Sequence, residues 1–310
     1  MARHQRGADW TRPSAPLGLF LESSAAADSS GSLSCCHKDR MGTQQMGGRM
    51  LLENKNAVIY GAGGLVGSAV ARAFARVGAK VFLAGRTLAS LDDVAAEISA
   101  AGGEAETAQV DALDEKAVDK HADAVVDRVG GIDVSFNAIG HGDVHGPPLI
   151  DMSFDDFARP VMTAIRIQFL TAKASARHMV QRRSGVILAI TATTARLAIP
   201  NVGGTAVTFD AIEGLCRQWA SELGPQGVRV VWLRTTGLPE ALRGELFPDY
   251  GTGSGTMTRS QLIAWMHGKT MLNRLTSLAE VGNVAAFVAS DQATAMTATA
   301  VNLTCGSLPD

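Results

Sequence analysis

The sequence predicts an α/β fold, a doubly wound parallel sheet of about seven strands with helices on both faces, and three observations carry that expectation. From Asn56 onward, short β-branched runs alternate with stretches of helical period joined by short links, which calls for a parallel sheet covered on both sides. The first run, Val58-Ile59-Tyr60, feeds a glycine turn, Gly61-Ala62-Gly63-Gly64-Leu65-Val66-Gly67, that opens a helix. A chain of 310 residues, 46% hydrophobic and 19% charged, can bury a sizeable core, and no internal repeat or linker interrupts it after Asn56.

The elements follow in order. Val66, Ala69, Val70, Ala73 and Val77 share one face of a 3.6-residue period, so a helix follows the turn. Residues 80–84 make the second strand, placed where a βαβ unit should deliver it, and end at Ala84-Gly85-Arg86. Leu88, Leu91, Ala95 and Ile98 line the next helix, closed by Gly102-Gly103. A third strand, 104–110, ends at Asp111, and residues 114–128 carry Ala117, Val118, His121 and Val125 on one face. Strand four is 132–137. The helix 157–181 carries the stripe Ile165, Phe169, Ala172, Ala176 and Met179, and strand five is 186–190. Residues 206–223 form a second long helix that buries Ile212, Leu215, Cys216 and Trp219. Strand six, 228–233, leads into an irregular insert at about 239–258, and a last helix (279–290) and strand (300–304) close the fold.

Composition removes several classes. Net charge is -2 with Lys and Arg dispersed, so no nucleic-acid footprint is expected. No run approaches the roughly 18 apolar residues of a membrane span. Cys35, Cys36, Cys216 and Cys305 form neither a CxxC pair nor a zinc-spaced His/Cys set. Free thiols, a reducing (cytoplasmic) compartment and no metal are the expectation. Residues 1–49 are rich in Ser, Gly, Ala and Arg without apolar period, so they read as a disordered extension, or as sequence ahead of a later start at Met41, Met46 or Met50. The apolar run 15–21 is broken by Pro16 and Gly18 and is marginal as a secretory segment.

In an open sheet of this kind the ligand sits over the carboxyl ends of the strands. At Gly61–Gly67 the turn aims backbone N–H groups and a helix dipole at one spot, where a pyrophosphate is the usual occupant. Glycine lets the phosphates reach the backbone. The other strand-end candidates are Arg86, Asp111, residues 137–145, Thr191, Thr193, Thr194 and residues 234–237. Each also has a structural reading: Asp111 as a helix cap, His141, Asp143 and His145 as a solvated polar loop beside Pro147-Pro148, the threonines as turn partners.

These residues together resemble a short-chain dehydrogenase/reductase, and the likeness covers nearly everything after Asn56. Gly61-Ala-Gly-Gly-Leu-Val-Gly67 resembles the family's TGxxxGxG turn, with Tyr60 in place of Thr and Leu65 in place of the middle Gly. Phe136-Asn137-Ala138-Ile139 resembles its NNAG segment, and Asp111 falls on the aspartate that meets the adenine. Glu213-Gly214-Leu215 through Val228-Arg229-Val230 matches the sixth helix and strand. The resemblance implies a Rossmann-like fold, a small-molecule substrate and a homodimer or homotetramer built on the two long helices. It implies a nicotinamide cofactor held by Gly61, Gly63, Gly64, Leu65, Val66, Gly67, Arg86, Asp111, Ala112, Asn137, Ala138 and Ile139. An NAD-using member would carry an acid near Gly85. Here Arg86 follows a position without a side chain, which favours the 2′-phosphate of NADP(H) over NAD(H), unless Arg86 is simply a surface residue.

The family's catalytic set is an Asn, a Ser, a Tyr and a Lys. Aligned by the long helices, those positions hold Ala164, Ala192, Thr205 and Phe209. No Tyr lies between Tyr60 and Tyr250, and no Lys between Lys173 and Lys269, so the loss does not depend on register. A threonine hydroxyl is a very weak acid, and general acid–base help of ~10²–10⁴-fold is forfeited unless another group supplies it. His145 and His141 are the nearest candidates, because histidine titrates near working pH. Three functions stay open. One is an NADP(H)-dependent oxidoreductase acting on a small, mostly uncharged carbonyl, imine or alkene with a non-standard proton donor, here His141, His145 or Thr205. The others are a lyase or isomerase on the same fold, and a non-catalytic nucleotide-binding homologue acting by association.

Overall fold

The computed structural model describes residues 50–248, 250 and 255–309. The expectations for residues 1–49, Cys35 and Cys36 among them, lie outside the described residues. The chain runs β1 (Asn56–Tyr60), α1 (Leu65–Arg76), β2 (Lys80–Gly85), α2 (Leu88–Ala100), β3 (Glu104–Gln109), α3 (Glu115–Val129), β4 (Val134–Asn137) and α4 (Phe154–Arg182). It continues through β5 (Gly185–Ala192), α5 (Thr205–Leu223), β6 (Val228–Thr235), β7 (Leu246–Pro248), β8 (Thr256–Thr258), α6 (Arg259–His267), α7 (Leu278–Ala289) and β9 (Thr299–Leu303).

Seven strands form one parallel sheet in the order β3-β2-β1-β4-β5-β6-β9, as the alternation of elements predicts. The order reverses between β1 and β4, and that switch point opens a crevice beyond the carboxyl ends of the strands. Because the side-chain period of a strand is two, β1 sends Ala57 and Ile59 to one face and Val58 and Tyr60 to the other, and all four are buried. On the first face Ile59, Leu83, Phe136, Leu188 and Leu233 pack with Val70, Phe74, Val281 and Val288. On the second, Val58, Phe82, Ile187 and Trp232 pack with Val118, Val125, Ile167, Met179 and Ile212. Burial on both faces is why these strands read as continuous apolar runs.

Two elements depart from the periodic reading. Helix α4 starts at Phe154 because Ser153 caps it, its hydroxyl accepting the Asp156 N–H; the apolar stripe alone puts the start a turn later. The insert is more ordered than its Gly, Thr and Ser content suggests. After a short turn at Pro239–Ala241, β7 and β8 pair antiparallel, and Thr258 opens α6 with a reciprocal cap to Gln261. Leu215 and Trp219 are only half-buried on α5, whereas Ile212 and Cys216 are fully covered. No helix among the described residues is long and apolar enough to cross a membrane.

Candidate active site

Two hollows open over the carboxyl ends of the strands. The first, about 450 Å³, spans the ends of β1, β2, β3 and β4. Gly61 sits there at φ +79°, and its N–H and that of Ala62 both donate to the Ala84 carbonyl at 2.8 and 3.3 Å. A Cβ on Gly67 would stand 2.3 Å from the Gly61 carbonyl oxygen, so the turn lies directly on the first turn of α1. No side chain caps α1, whose N-cap is Gly64, and no acidic residue lies in its first turn. The N–H groups at that end are therefore left for an anion, and a dinucleotide's pyrophosphate fits the cradle.

Gly61, Gly63, Gly64, Arg86, Asp111, Ala112, Ala138 and Ile139 border this hollow. Leu65, Val66 and Gly67 form the first turn of α1, with Gly67 against Gly61. Asn137 is used elsewhere: its amide donates to the Thr171 hydroxyl at 3.0 Å and its carbonyl accepts the Ile139 N–H at 3.0 Å, which ties β4 to α4. The cap of α3 is Asp114, whose carboxylate accepts from Lys116 and Ala117. The Asp111 carboxylate accepts the Leu113 N–H and stays exposed at the rim. Arg86 is exposed and makes no ion pair among the described residues.

The second hollow, about 660 Å³, lies over the ends of β5 and β6 and beneath α6. Its polar end is a chain of five side chains. His145 Nε2 is 2.8 Å from the Thr205 hydroxyl at the start of α5, and His145 Nδ1 is 3.1 Å from the Tyr250 hydroxyl. Asp143 accepts from His141 Nδ1 at 3.1 Å and from Thr205. If Thr205 donates to Asp143, it accepts from His145 Nε2–H, and Nδ1 then accepts the Tyr250 proton; this assigns the tautomer from the network. Burial pushes His145 below the usual histidine value, partly opposed by the Asp143 charge. Burial would raise Asp143, but the bonds from His141 and Thr205 and the charge of His145 hold it below the usual carboxylate value. Burial raises the Tyr250 phenol.

Of the four aligned positions, Ala192, Thr205 and Phe209 line this hollow, and Ala164, on α4 itself, is buried in the core. The Phe209 ring meets His141 edge-on at 5.3 Å. Under the hollow, Glu213 is fully buried and bound by Arg234 through Nε at 2.8 Å and Nη2 at 2.7 Å, with Thr191 donating at 3.1 Å and Arg196 3.4 Å away. Sequence reasoning placed Arg234 among the strand-end candidates but gave no role to Glu213, to Tyr250 or to α6. The pair did leave a signal: Glu213 lies beside Ile212 on an apolar helix face, and Arg234 ends an apolar strand. Among the described residues no group of three or more His, Cys, Asp or Glu could hold a metal.

With this geometry the chain's family is plain. The family model described as enoyl-(acyl carrier protein) reductase matches residues 61–307, and the chain belongs to this branch of the short-chain dehydrogenases/reductases, whose members are nicotinamide-binding oxidoreductases. It is similar to gluconate 5-dehydrogenase of Gluconobacter oxydans (strain 621H), 28% identical over 77% of this chain and 89% of the relative. It is similar also to secoisolariciresinol dehydrogenase of Forsythia intermedia, 30% identical over 78% and 84%. The solved NAD+-bound xylitol dehydrogenase superposes with a TM-score of 0.75 at 26% identity, covering 81% of this chain and 98% of that one. A 7α-hydroxysteroid dehydrogenase complexed with NADH and 7-oxo glycochenodeoxycholic acid gives 0.70 at 25% identity, covering 84% and 97%.

Proposed function

We propose that this oxidoreductase uses NADP(H) to reduce a carbonyl, imine or activated alkene on a largely apolar substrate, with His145 as proton donor through Thr205. One observation carries the reading: His145 Nε2 lies 2.8 Å from the hydroxyl of Thr205, at the α5 position where the family keeps its tyrosine. The glycine cradle and Arg86 would hold the cofactor, which supplies the hydride. The chain's own residues supply the proton. As the Thr205 hydroxyl turns its proton from Asp143 to the developing oxyanion, the His145 Nε2 proton replaces it, and Tyr250 bonds the far ring nitrogen. In the resting network Asp143, itself bonded by His141, accepts the Thr205 proton. Phe209 replaces a charged group with a ring, so the burden of proton transfer falls on the imidazole.

The test is NADPH consumption with a panel of apolar ketones, aldehydes and enones. His145→Gln, which keeps amide hydrogen bonding without a titrating group, should lower kcat/KM by ~10²–10⁴-fold. The sign of the pH dependence follows from the lowered His145 value. Reduction uses the protonated ring, so its kcat/KM should rise as pH falls through a value below 6.5; oxidation uses the neutral ring and should rise on the alkaline side. A His145→Gln enzyme that keeps wild-type turnover and profile would remove His145 from the reaction.

We further propose a homodimer or homotetramer on the α4–α5 face. Met162 and Phe169 on α4 and Val207 on α5 are exposed, and the Phe169 ring lies 5.5 Å from the half-buried Trp219. Light scattering that finds only monomer at micromolar concentration would overturn this.

A further inference from the structure

We propose that the substrate is an amphipathic anion: an apolar body ending in a carboxylate that pairs with Lys269, while its reducible group lies at His145 and Thr205. The proposal deepens the reading of the second hollow as the substrate site and rests on it. That hollow, about 660 Å³, sits well inside the ~300–1,000 Å³ range of pockets for drug-sized ligands, larger than a small carbonyl compound needs. Leu197, Ile199, Val202, Leu242 and Met266 give it apolar walls.

Two side chains of fixed charge line it, and they differ in their partners. Asp143 is engaged by His141 and Thr205 at the reacting end. Lys269 is exposed, so it stands where the hollow meets solvent, and no carboxylate pairs with it among the described residues. Its ammonium lies over the Trp265 ring, 5.8 Å from the centroid. A cation–π contact of this kind restrains the side chain while leaving its remaining donors for an anion. A carboxylate entering the hollow is repelled by Asp143 and attracted by Lys269, which favours the orientation that brings it to Lys269. A mostly uncharged substrate is what the sequence suggests, and the small and apolar residues of the insert at 239–258 fit it; Lys269 lies outside that segment, in the turn after α6.

The test is calorimetric titration of the full chain, saturated with NADP(H), with 2-naphthylacetate and 2-naphthylacetamide, which share an apolar body and differ in charge. The wild type should bind the acid about three- to tenfold more tightly than the amide, with the advantage shrinking at high salt. Lys269→Met should abolish the advantage and leave amide binding unchanged, Lys269→Arg should keep it, and Lys269→Glu should turn it into a penalty. Equal binding of acid and amide by the wild type, an advantage that survives Lys269→Met, or no binding of either probe would overturn the proposal. Acid discrimination that follows Lys269 without NADPH consumption on any carbonyl substrate supports the anion site while sinking the oxidoreductase reading.

Discussion

The glycine cradle and the second hollow sit over the same carboxyl ends of the sheet, yet they are built from different materials. The cradle is backbone: Gly61 at φ +79°, amides held by the Ala84 carbonyl, a helix start without a side-chain cap. The hollow is side chain. Asp143, His145, Thr205, Phe209, Tyr250 and Trp265 come from the loop after β4, the start of α5, the insert and α6. A site made of backbone can be damaged mainly by adding atoms, whereas a site made of side chains is damaged by removing them.

The largest effect should come from beneath the hollow. Glu213→Ala leaves Arg234, itself only 5% exposed, buried without its carboxylate, and should cost about 3–5 kcal/mol in urea unfolding. A loss within experimental error would mean that solvent reaches Arg234, and that the hollow does not stand on a desolvated ion pair.

The cradle should respond to a single added methyl group according to what that methyl meets. In Gly67→Ala the new carbon faces the Gly61 carbonyl oxygen at 2.3 Å, and backbone cannot step aside. In Gly63→Ala it faces the Ser90 hydroxyl, also at 2.3 Å, and a serine can change rotamer. Gly67→Ala should therefore weaken NADPH binding by about 1–3 kcal/mol, the usual cost of overpacking, and Gly63→Ala by clearly less. Equal losses would show that Ser90 is as rigid as backbone. Arg86 adds a charged side chain to the rim of the cradle. Arg86→Ala should weaken NADPH by on the order of 1.5–3 kcal/mol at most, toward the lower end for so exposed a group, and leave NADH nearly unchanged. Equal loss for both nucleotides would remove the proposed 2′-phosphate contact.

The same contrast explains what the sequence discloses. Backbone sites leave local marks, because a positive φ or a close approach imposes glycine within a few residues; Gly61, Gly67 and the strand–turn–helix corner are legible for that reason. The parallel sheet is legible because burial on both faces writes itself as apolar runs. Tyr250 and His145 are 105 positions apart, and no local pattern announces that one will meet the other. Helix α6 escapes periodic reading because it is nine residues long and turns Leu262, Trp265 and Met266 toward the hollow rather than toward the sheet. That no Tyr lies between Tyr60 and Tyr250 and no Lys between Lys173 and Lys269 is visible in sequence; which side chains stand around Thr205 is a matter of three-dimensional packing.

Gly204, immediately before Thr205, touches α4 so closely that a Cβ there would lie 2.2 Å from the Phe157 carbonyl oxygen and 3.3 Å from Pro160 Cγ. The start of α5 thus takes its position from the first turns of α4, as a machined part is seated against a datum face. Any wear of that face, as by substitution at Phe157 or Pro160, is passed to Thr205 with little slack. The tolerance of that position to drift in sequence is accordingly set two helices wide. Residues of α4 share in fixing where the Thr205 hydroxyl stands.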